Sequence, residues 1–501
     1  MTDQIDLVLI NPGGRKRLYQ NLGTDLTAVE PPLWCRLIAG YARDHGYIVR
    51  LVDSEAEEIG PDEVSERIKA MNPRLVGLVV FGHQPSASTQ QMAPANETAR
   101  AIKNRTPEIP IIILGGHVSA LPERTLREEP VDFACKGEGP STVVQLLAAL
   151  KSKADDLAGV QGLVWWNAKD VSVNSPAPLI KDLDHELHGN TWDLLPMDKY
   201  RAHNWQCFKN LEKRQPYASI YTSLGCPYKC AFCCINAPFD SNRYRMRSPE
   251  KVVAEVDYLS SHYGIETFKI IDEMFVLNER HVTAICQGLA DLNRPLNIWA
   301  YARIDTIQSH QLKLLRDGGI QWLALGIESG SKHVREESQK ALNSKDIVNI
   351  VGDIQKAGIS VIGNFIFGLP DDNFETMGET LELAKELNCE FANFYSAMAY
   401  PGSPLYLEAE SSGLPLPENW SGYSQHSFDC HPMPTNALSS AEVLAFRDNA
   451  FHEYFENPRY LDMITQRFGW QTRRHIEKMS KHRLTRKIIE QHIPESDNKD
   501  S

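Results

Sequence analysis

Gly225-Cys-Pro-Tyr-Lys-Cys-Ala-Phe-Cys233 sets three cysteines, Cys226, Cys230 and Cys233, in one short run, with three and then two residues between them. A loop of that spacing can turn three thiolates onto one metal centre. Structural zinc takes four protein ligands, usually as two close pairs. Three close thiolates with no evident fourth suit an iron–sulfur cluster that leaves one iron open. Zinc and three unligated thiols are the alternatives. Free cysteine favours buried apolar sites, whereas this loop also carries Gly225, Pro227 and Lys229. Phe232 is placed to shield a cluster from water, and Cys234 reads as a packed thiol.

Around this loop, short apolar runs alternate with amphipathic stretches. Strands are expected at Ile220–Ser223, Thr267–Ile271, Ile298–Arg303, Trp322–Gly326, Ser360–Phe367 and Glu390–Ala397. Helices fall between them, at Pro249–Tyr263, Glu279–Leu289, Ser309–Asp317, Lys345–Ala357 and Phe374–Leu387. Six such units are too few for a closed eight-unit barrel. Upstream, the strand candidates Asp6–Asn11, Ile48–Asp53, Leu75–Phe81, Pro110–Leu114 and Phe133–Lys136 also alternate with helical stretches, which indicates a doubly wound parallel sheet covered on both faces. The expected fold class is therefore α/β. A Rossmann-like domain spans residues 1–150 and a connector 151–216, with a hairpin around Asn167-Ala-Lys-Asp170. A partial (β/α)6 barrel of the TIM type spans 217–406, and a mainly helical cap 407–501, with helices at Ser440–Phe455, Pro458–Phe468 and Thr472–Gln491.

The chain has 501 residues, with 42% hydrophobic and 23% charged content, ordinary for a globular protein. Its net charge of −13 argues against nucleic acid or an anionic membrane surface as the main partner. No apolar stretch follows Met1-Thr-Asp, and the longest apolar runs are too short for a transmembrane segment. Ten cysteines are too sparse for a disulfide framework, which points to the reducing cytoplasm. The polar tail Glu495–Ser501 is the single low-complexity tract.

The cysteine loop resembles the cluster motif of the radical S-adenosylmethionine superfamily. The resemblance continues through Lys269-Ile-Ile-Asp-Glu-Met-Phe275, Ala300-Tyr-Ala-Arg303, Leu325-Gly-Ile-Glu-Ser-Gly330 and Asn364-Phe-Ile-Phe-Gly-Leu-Pro370, in the family's order. It implies a [4Fe–4S] cluster on the three cysteines, with S-adenosylmethionine on the open iron. It also implies that Asp272 and Glu273 face the cofactor's ammonium group, that Arg303 pairs with its carboxylate, and that Glu328 and Ser329 hold its ribose or methionine moiety. A surface turn is the alternative for Asp272 and Glu273, and ordinary structural pairing for Arg303, Glu328 and Ser329. Tyr395 and Tyr400 are candidate catalytic or pocket-lining residues; core packing is the alternative.

The first domain resembles the cobalamin-binding domain fused to many enzymes of this superfamily, through Leu9-Ile-Asn-Pro-Gly13, Gly115-Gly-His-Val-Ser119 and Gly137-Glu-Gly139. Glycines after strands permit close backbone approach to a bulky ligand. By this resemblance Asn11, Gly115, Gly116, His117, Ser119, Gly137, Glu138 and Gly139 belong to the cobalamin site; a flavodoxin-like nucleotide domain is the alternative. The Asp-x-His-x-x-Gly signature that supplies a lower histidine to cobalt in related proteins is missing. Cobalamin is expected without a histidine beneath the cobalt, and His83 in Phe81-Gly-His-Gln-Pro-Ser86 is the one candidate ligand.

The combination implies a cobalamin-dependent radical methyltransferase acting on a small-molecule substrate. A flavodoxin- or ferredoxin-type electron donor would serve it. The alternative keeps the same cofactors for cyclisation, ring contraction or oxidation. The basic stretch Arg473–Arg486 is read as a solvated helix face, and Cys430 as a packed thiol, with contact to a substrate or metal as the alternative.

Overall fold

The computed structural model describes residues 4–22, 27–154, 156–212, 214–337 and 344–491. The polar tail Glu495–Ser501 lies outside them.

The first sheet is built from β1 (Leu7–Asn11), β2 (Val49–Asp53), β3 (Leu75–Val79), β4 (Ile111–Leu114), β5 (Phe133–Cys135), β6 (Leu163–Asn167) and β7 (Asp170–Val173). Their spatial order is β2-β1-β3-β4-β5-β6-β7, parallel through β5. Strands such as Leu-Val-Gly-Leu-Val in β3 are buried throughout, as a parallel sheet covered on both faces requires. The hairpin expected in the connector forms, but it pairs antiparallel with β5. The sheet therefore runs past residue 150.

The second sheet begins with β8 (Tyr217–Ile220). A two-stranded ribbon, β9 (Ser223–Leu224) with β10 (Arg245–Met246), brackets the cysteine loop. Then come β11 (Thr267–Ile270), β12 (Asn297–Arg303), β13 (Ile320–Glu328), β14 (Ser360–Phe367) and β15 (Phe391–Ser396). The six main strands lie in the order β15-β14-β13-β12-β11-β8, all parallel, so β8 and β15 are the edges of an open barrel.

Helices Ser440–Phe455 and Pro458–Phe468 form as expected. The expected helix Thr472–Gln491 breaks: Trp470–Met479 is helical, an irregular strap follows, and Lys487–Glu490 forms one more turn. Arg486 causes the departure. It is 2% exposed rather than solvated, and it bonds the carbonyls of Gln425 and Ser427 and the Asp448 carboxylate. Cys430 is buried beside Met398 and Leu444.

The two sheets are joined by a buried cation. Arg36, from helix Leu33–Asp44, lies over Trp192 at 3.5 Å. It donates to Gly189 O, Ser219 O and Glu255 Oε1, and Glu255 also takes Arg247. Glu138 bridges the same halves through Arg245.

Candidate functional site

The carboxyl ends of both parallel sheets open on one cleft, where ligands of such sheets bind. It holds three adjoining hollows of about 50, 290 and 620 Å³, and His83 and Gln84 line all three. The smallest lies between Trp34, Phe81 and Gly116 on one side and Pro238, Phe239 and Glu273 on the other. The middle one holds Cys226, Cys230 and Cys233 together with Glu273, Arg303 and Glu328. The largest is the barrel interior.

The cysteine loop leaves β9 through Gly225, at φ 87°, where a Cβ would meet Arg243 O at 2.2 Å. The loop folds on itself through Cys233 N–H to Cys230 O at 3.1 Å. Burial pushes the Cys226 and Cys233 thiols up, so they become thiolates only with a metal or cation to favour ionisation. Arg303 supplies one cation: its Nη1 is 3.6 Å from Cys230 Sγ and its guanidinium lies 3.9 Å over Tyr228. Among the described residues no three His, Cys, Asp or Glu side chains converge on a single ion. Three thiols spread around one hollow instead fit a cluster with one iron per thiolate.

The neighbouring site residues divide. Glu273 faces the hollow, and burial, with the Asp272 charge beside it, pushes its carboxyl up to about 8. Asp272 turns the other way: it accepts from Thr222 N and Oγ1 at 2.7 and 2.6 Å and from Ser223 Oγ at 2.5 Å, tying β11 to the end of β8. Arg303 reaches the hollow with its fork already on Asp305, at 2.9 and 2.6 Å. Glu328 lines the hollow from a β-bulge, at φ 68°. Ser329 is fully buried against Thr380 and outside the hollow. Tyr395 lines both larger hollows; Tyr400 lines the middle one and is within reach of Gln425.

On the opposite rim, Gly115 passes so close to β3 that a Cβ would lie 2.6 Å from Val80 O. Gly116 lines the smallest hollow. Gly137 and Gly139 take φ 124° and 102°, a left-handed backbone that favours glycine. Ser119 fixes this turn, donating to Gly137 O at 3.2 Å and accepting from Gly137 N at 3.1 Å. His117 is buried, its Nε2 has no partner among the described residues, and burial aided by Arg124 lowers its pKa to about 3. An orphaned ring nitrogen, side-chain-free backbone and the room at Gly137, where a Cβ would have only Pro238 O at 4.0 Å beside it, fit the tail of a large cofactor. Asn11 and Glu138 do not reach the cleft: Asn11 donates to Asp53, and Glu138 accepts from Ile180 N and Arg245.

Sequence reading missed Glu30 and His203. Lys269, 2% exposed, donates to Glu30 Oε2 at 2.9 Å and to His83 O at 3.0 Å. His203 Nε2 lies 3.3 Å from Glu30 Oε1. Burial opposes ionisation of Glu30, but Lys269, His83 and His203 outweigh it and hold its carboxyl well below the usual range. The sequence offered one signal: a lysine inside the apolar strand Thr-Phe-Lys-Ile.

A glycine-rimmed parallel sheet facing an open barrel that carries three thiols defines a radical enzyme with two large cofactors. The chain belongs to the cobalamin-binding radical S-adenosylmethionine enzymes: residues 21–147 match the B12 binding domain and residues 220–384 the Radical SAM superfamily. "Uncharacterized methyltransferase PH0819" of Pyrococcus horikoshii is 31% identical over 456 residues, 91% of this chain and 93% of that one. "Anaerobic magnesium-protoporphyrin IX monomethyl ester cyclase" of Rubrivivax gelatinosus is 25% identical, over 88% of this chain and 77% of its own. The fold is that of the radical S-adenosylmethionine methyltransferase TsrM from Kitasatospora setae, solved with cobalamin and a [4Fe–4S] cluster bound (TM-score 0.67, 18% identity, 91% and 90% of the two chains). The cofactors are cobalamin, a [4Fe–4S] cluster and S-adenosylmethionine. Among the described residues no helix is long and apolar enough to cross a membrane.

Proposed function

We propose that this enzyme methylates an unactivated carbon of a small molecule. One observation carries the reading: Gly116 of the glycine rim and the three thiols line adjoining hollows of one cleft, which is where a substrate between the two cofactors would sit. Bound there, the cofactors supply a 5′-deoxyadenosyl radical and a transferable methyl group. In this reading Cys226, Cys230 and Cys233 hold the cluster. Arg303, steadied by Asp305, offsets the thiolate charge at Cys230. Glu273 and Glu328 accept hydrogen bonds from the ammonium and ribose groups of S-adenosylmethionine. Gly115, Gly116, Ser119, Gly137 and Gly139, with the orphaned His117 nitrogen, cradle the nucleotide tail of cobalamin, and His83 stands at the junction of the hollows. Asp272, Ser329, Asn11 and Glu138 hold the framework instead. Tyr395 and Tyr400 border the substrate. A flavodoxin- or ferredoxin-type protein in a reducing cytoplasm supplies electrons.

A second reading, cyclisation or oxidation with the same cofactors, is favoured by the relative named as a cyclase. Anaerobic reconstitution with iron, sulfide and cobalamin, followed by mass analysis of adenosylmethionine products, separates the two. Deoxyadenosine together with adenosylhomocysteine supports methyl transfer. Deoxyadenosine alone supports the second reading.

A further inference from the structure

Lys269 is the one charged residue of β11, and no step of the proposed reaction uses it. Its side chain is 2% exposed although it stands at the wall of the barrel interior. The ammonium lies 4.9 Å from the Trp299 ring and 5.9 Å from that of Tyr301. Its two hydrogen bonds both leave the barrel, one to Glu30 Oε2 at 2.9 Å and one to His83 O at 3.0 Å. A cation so covered and so occupied has little left for a ligand. Its work is done on the chain.

Glu30 is a fixed anchor for that cation. The residue before it, Val29, exchanges backbone bonds with Arg201 at 2.9 and 3.0 Å. The carboxylate meets His203 Nε2 at 3.3 Å through Oε1, and Ser219 Oγ at 3.2 Å through Oε2, beside Lys269. His203 Nδ1 accepts from Ala28 N at 3.3 Å, so the neutral ring carries its proton on Nε2, facing the carboxylate. Both oxygens of Glu30 are thus engaged. A buried ion pair gains little stability over apolar side chains of similar volume; this one gives the ammonium a defined place.

The bond to His83 O uses that place. Residues 82–86 carry the chain from β3 to helix Ala87–Gln90, and His83 and Gln84 line all three hollows. Gly82 starts the loop at φ 74°. Its far end is closed by Ala87 N to Gln84 O at 3.0 Å and Ser88 N to Pro85 O at 3.2 Å. Among the described residues, the bond from Lys269 is the only one that reaches the backbone of residues 82–84 from outside residues 82–88. His83 Nδ1 stays 3.9 Å from Glu30 Oε2, beyond hydrogen-bond range. The loop is therefore held by its backbone, and its side chains are left to the hollows.

We propose that Lys269 is a positioning residue for cobalamin: its ammonium, set by Glu30, holds loop 82–86 in the shape that closes on the cofactor. This role rests on the reading of the cleft as the place where cobalamin binds. With the tether gone the loop samples other shapes, and the apparent affinity falls with the fraction that stays competent.

The test is hydrogen exchange of the full chain, reconstituted anaerobically with iron and sulfide, with and without hydroxocobalamin. Mass spectrometry reads the peptides that span residues 81–86. Lys269→Met alone would strand Glu30 as a buried charge and endanger the fold. The variant is therefore Lys269→Met with Glu30→Gln, which removes both charges together. In the wild-type chain hydroxocobalamin should slow exchange in this loop. In the cobalamin-free variant the loop should exchange roughly tenfold faster, the worth of one charge-assisted hydrogen bond. Peptides from β8 and from helix Leu33–Asp44 should keep their wild-type rates. Equilibrium dialysis should show hydroxocobalamin binding the variant about fivefold or more weakly. Equal loop exchange in the two proteins overturns the proposal, as does faster exchange spread evenly over β8 and the helix, the mark of an ordinary structural pair. A loosened loop with unchanged hydroxocobalamin affinity also overturns it. If hydroxocobalamin leaves the wild-type loop unprotected, the reading of the cleft falls and the role with it, a result separate from every variant outcome.

Discussion

At the carboxyl ends of β4 and β5 the chain gives up side chains, and at those of β9, β11, β12 and β13 it crowds them in. The first rim offers Gly115, Gly116, Gly137 and Gly139: Gly116 lines the cleft, and Gly115 and Gly139 let the chain turn close against Val80 and Leu114 behind it. The second offers three thiols, Glu273, Arg303 and Glu328 around one hollow of about 290 Å³. Strands β1–β5 of the first sheet and the six strands of the second are parallel and aim at the same space, yet one set yields room and the other supplies reactive groups. The contrast teaches that a shared topology leaves the chemistry to the few residues just past each strand.

The contrast is broken most severely on the reactive rim. Alanine at Cys226, Cys230 or Cys233 should abolish adenosylmethionine cleavage and remove the iron-linked visible absorbance, read after anaerobic reconstitution. Fold and cobalamin binding should survive, since the other rim is untouched. The joint between the rims comes next. Arg36→Ala leaves Glu255 buried with only Arg247 and should cost about 3–5 kcal/mol in denaturant unfolding.

A pH measurement sharpens the contrast on the glycine side. Asp53 ends β2, and burial lifts its carboxyl to about 6 in spite of bonds from Asn11, Tyr200 and Ala56 N. An acid with a folded pKa above its unfolded value binds more protons when folded. Its contribution to stability therefore falls as pH rises from about 4 to about 6. Asp53→Asn should flatten that fall by up to about 2–3 kcal/mol, seen by comparing urea midpoints of the two proteins across this range. The smallest effect belongs to Gly115→Ala, whose methyl meets Val80 O. It should cost about 1–3 kcal/mol and lower cobalamin retained on gel filtration, with the cluster absorbance intact.

The cysteine triad was legible because its information is local: three residues in one loop, opened by Gly225 at a positive φ of 87°. The alternating strands of both sheets were legible from apolar runs of four to eight residues. Partners far apart in sequence were not. Lys269 stood in plain view inside a strand, but Glu30 lies 239 residues away in a segment without periodicity. Asp272 and Glu273 read alike as neighbours, yet one turns to the Thr222 backbone and the other into the hollow, and that choice depends on β8. The hairpin β6–β7 was visible as a hairpin, whereas its docking on β5 depends on an edge that forms only after folding. The strap after Met479 keeps a helical spacing, and distant carbonyls captured by Arg486 override it.

Arg36 has a mechanical consequence. Its guanidinium, clamped between Trp192, Glu255 and two carbonyls, would lose Ser219 O and Glu255 if the halves swung apart. The joint therefore sets a penalty against widening the gap, since opening would leave two buried charges, Arg36 and Glu255, without each other.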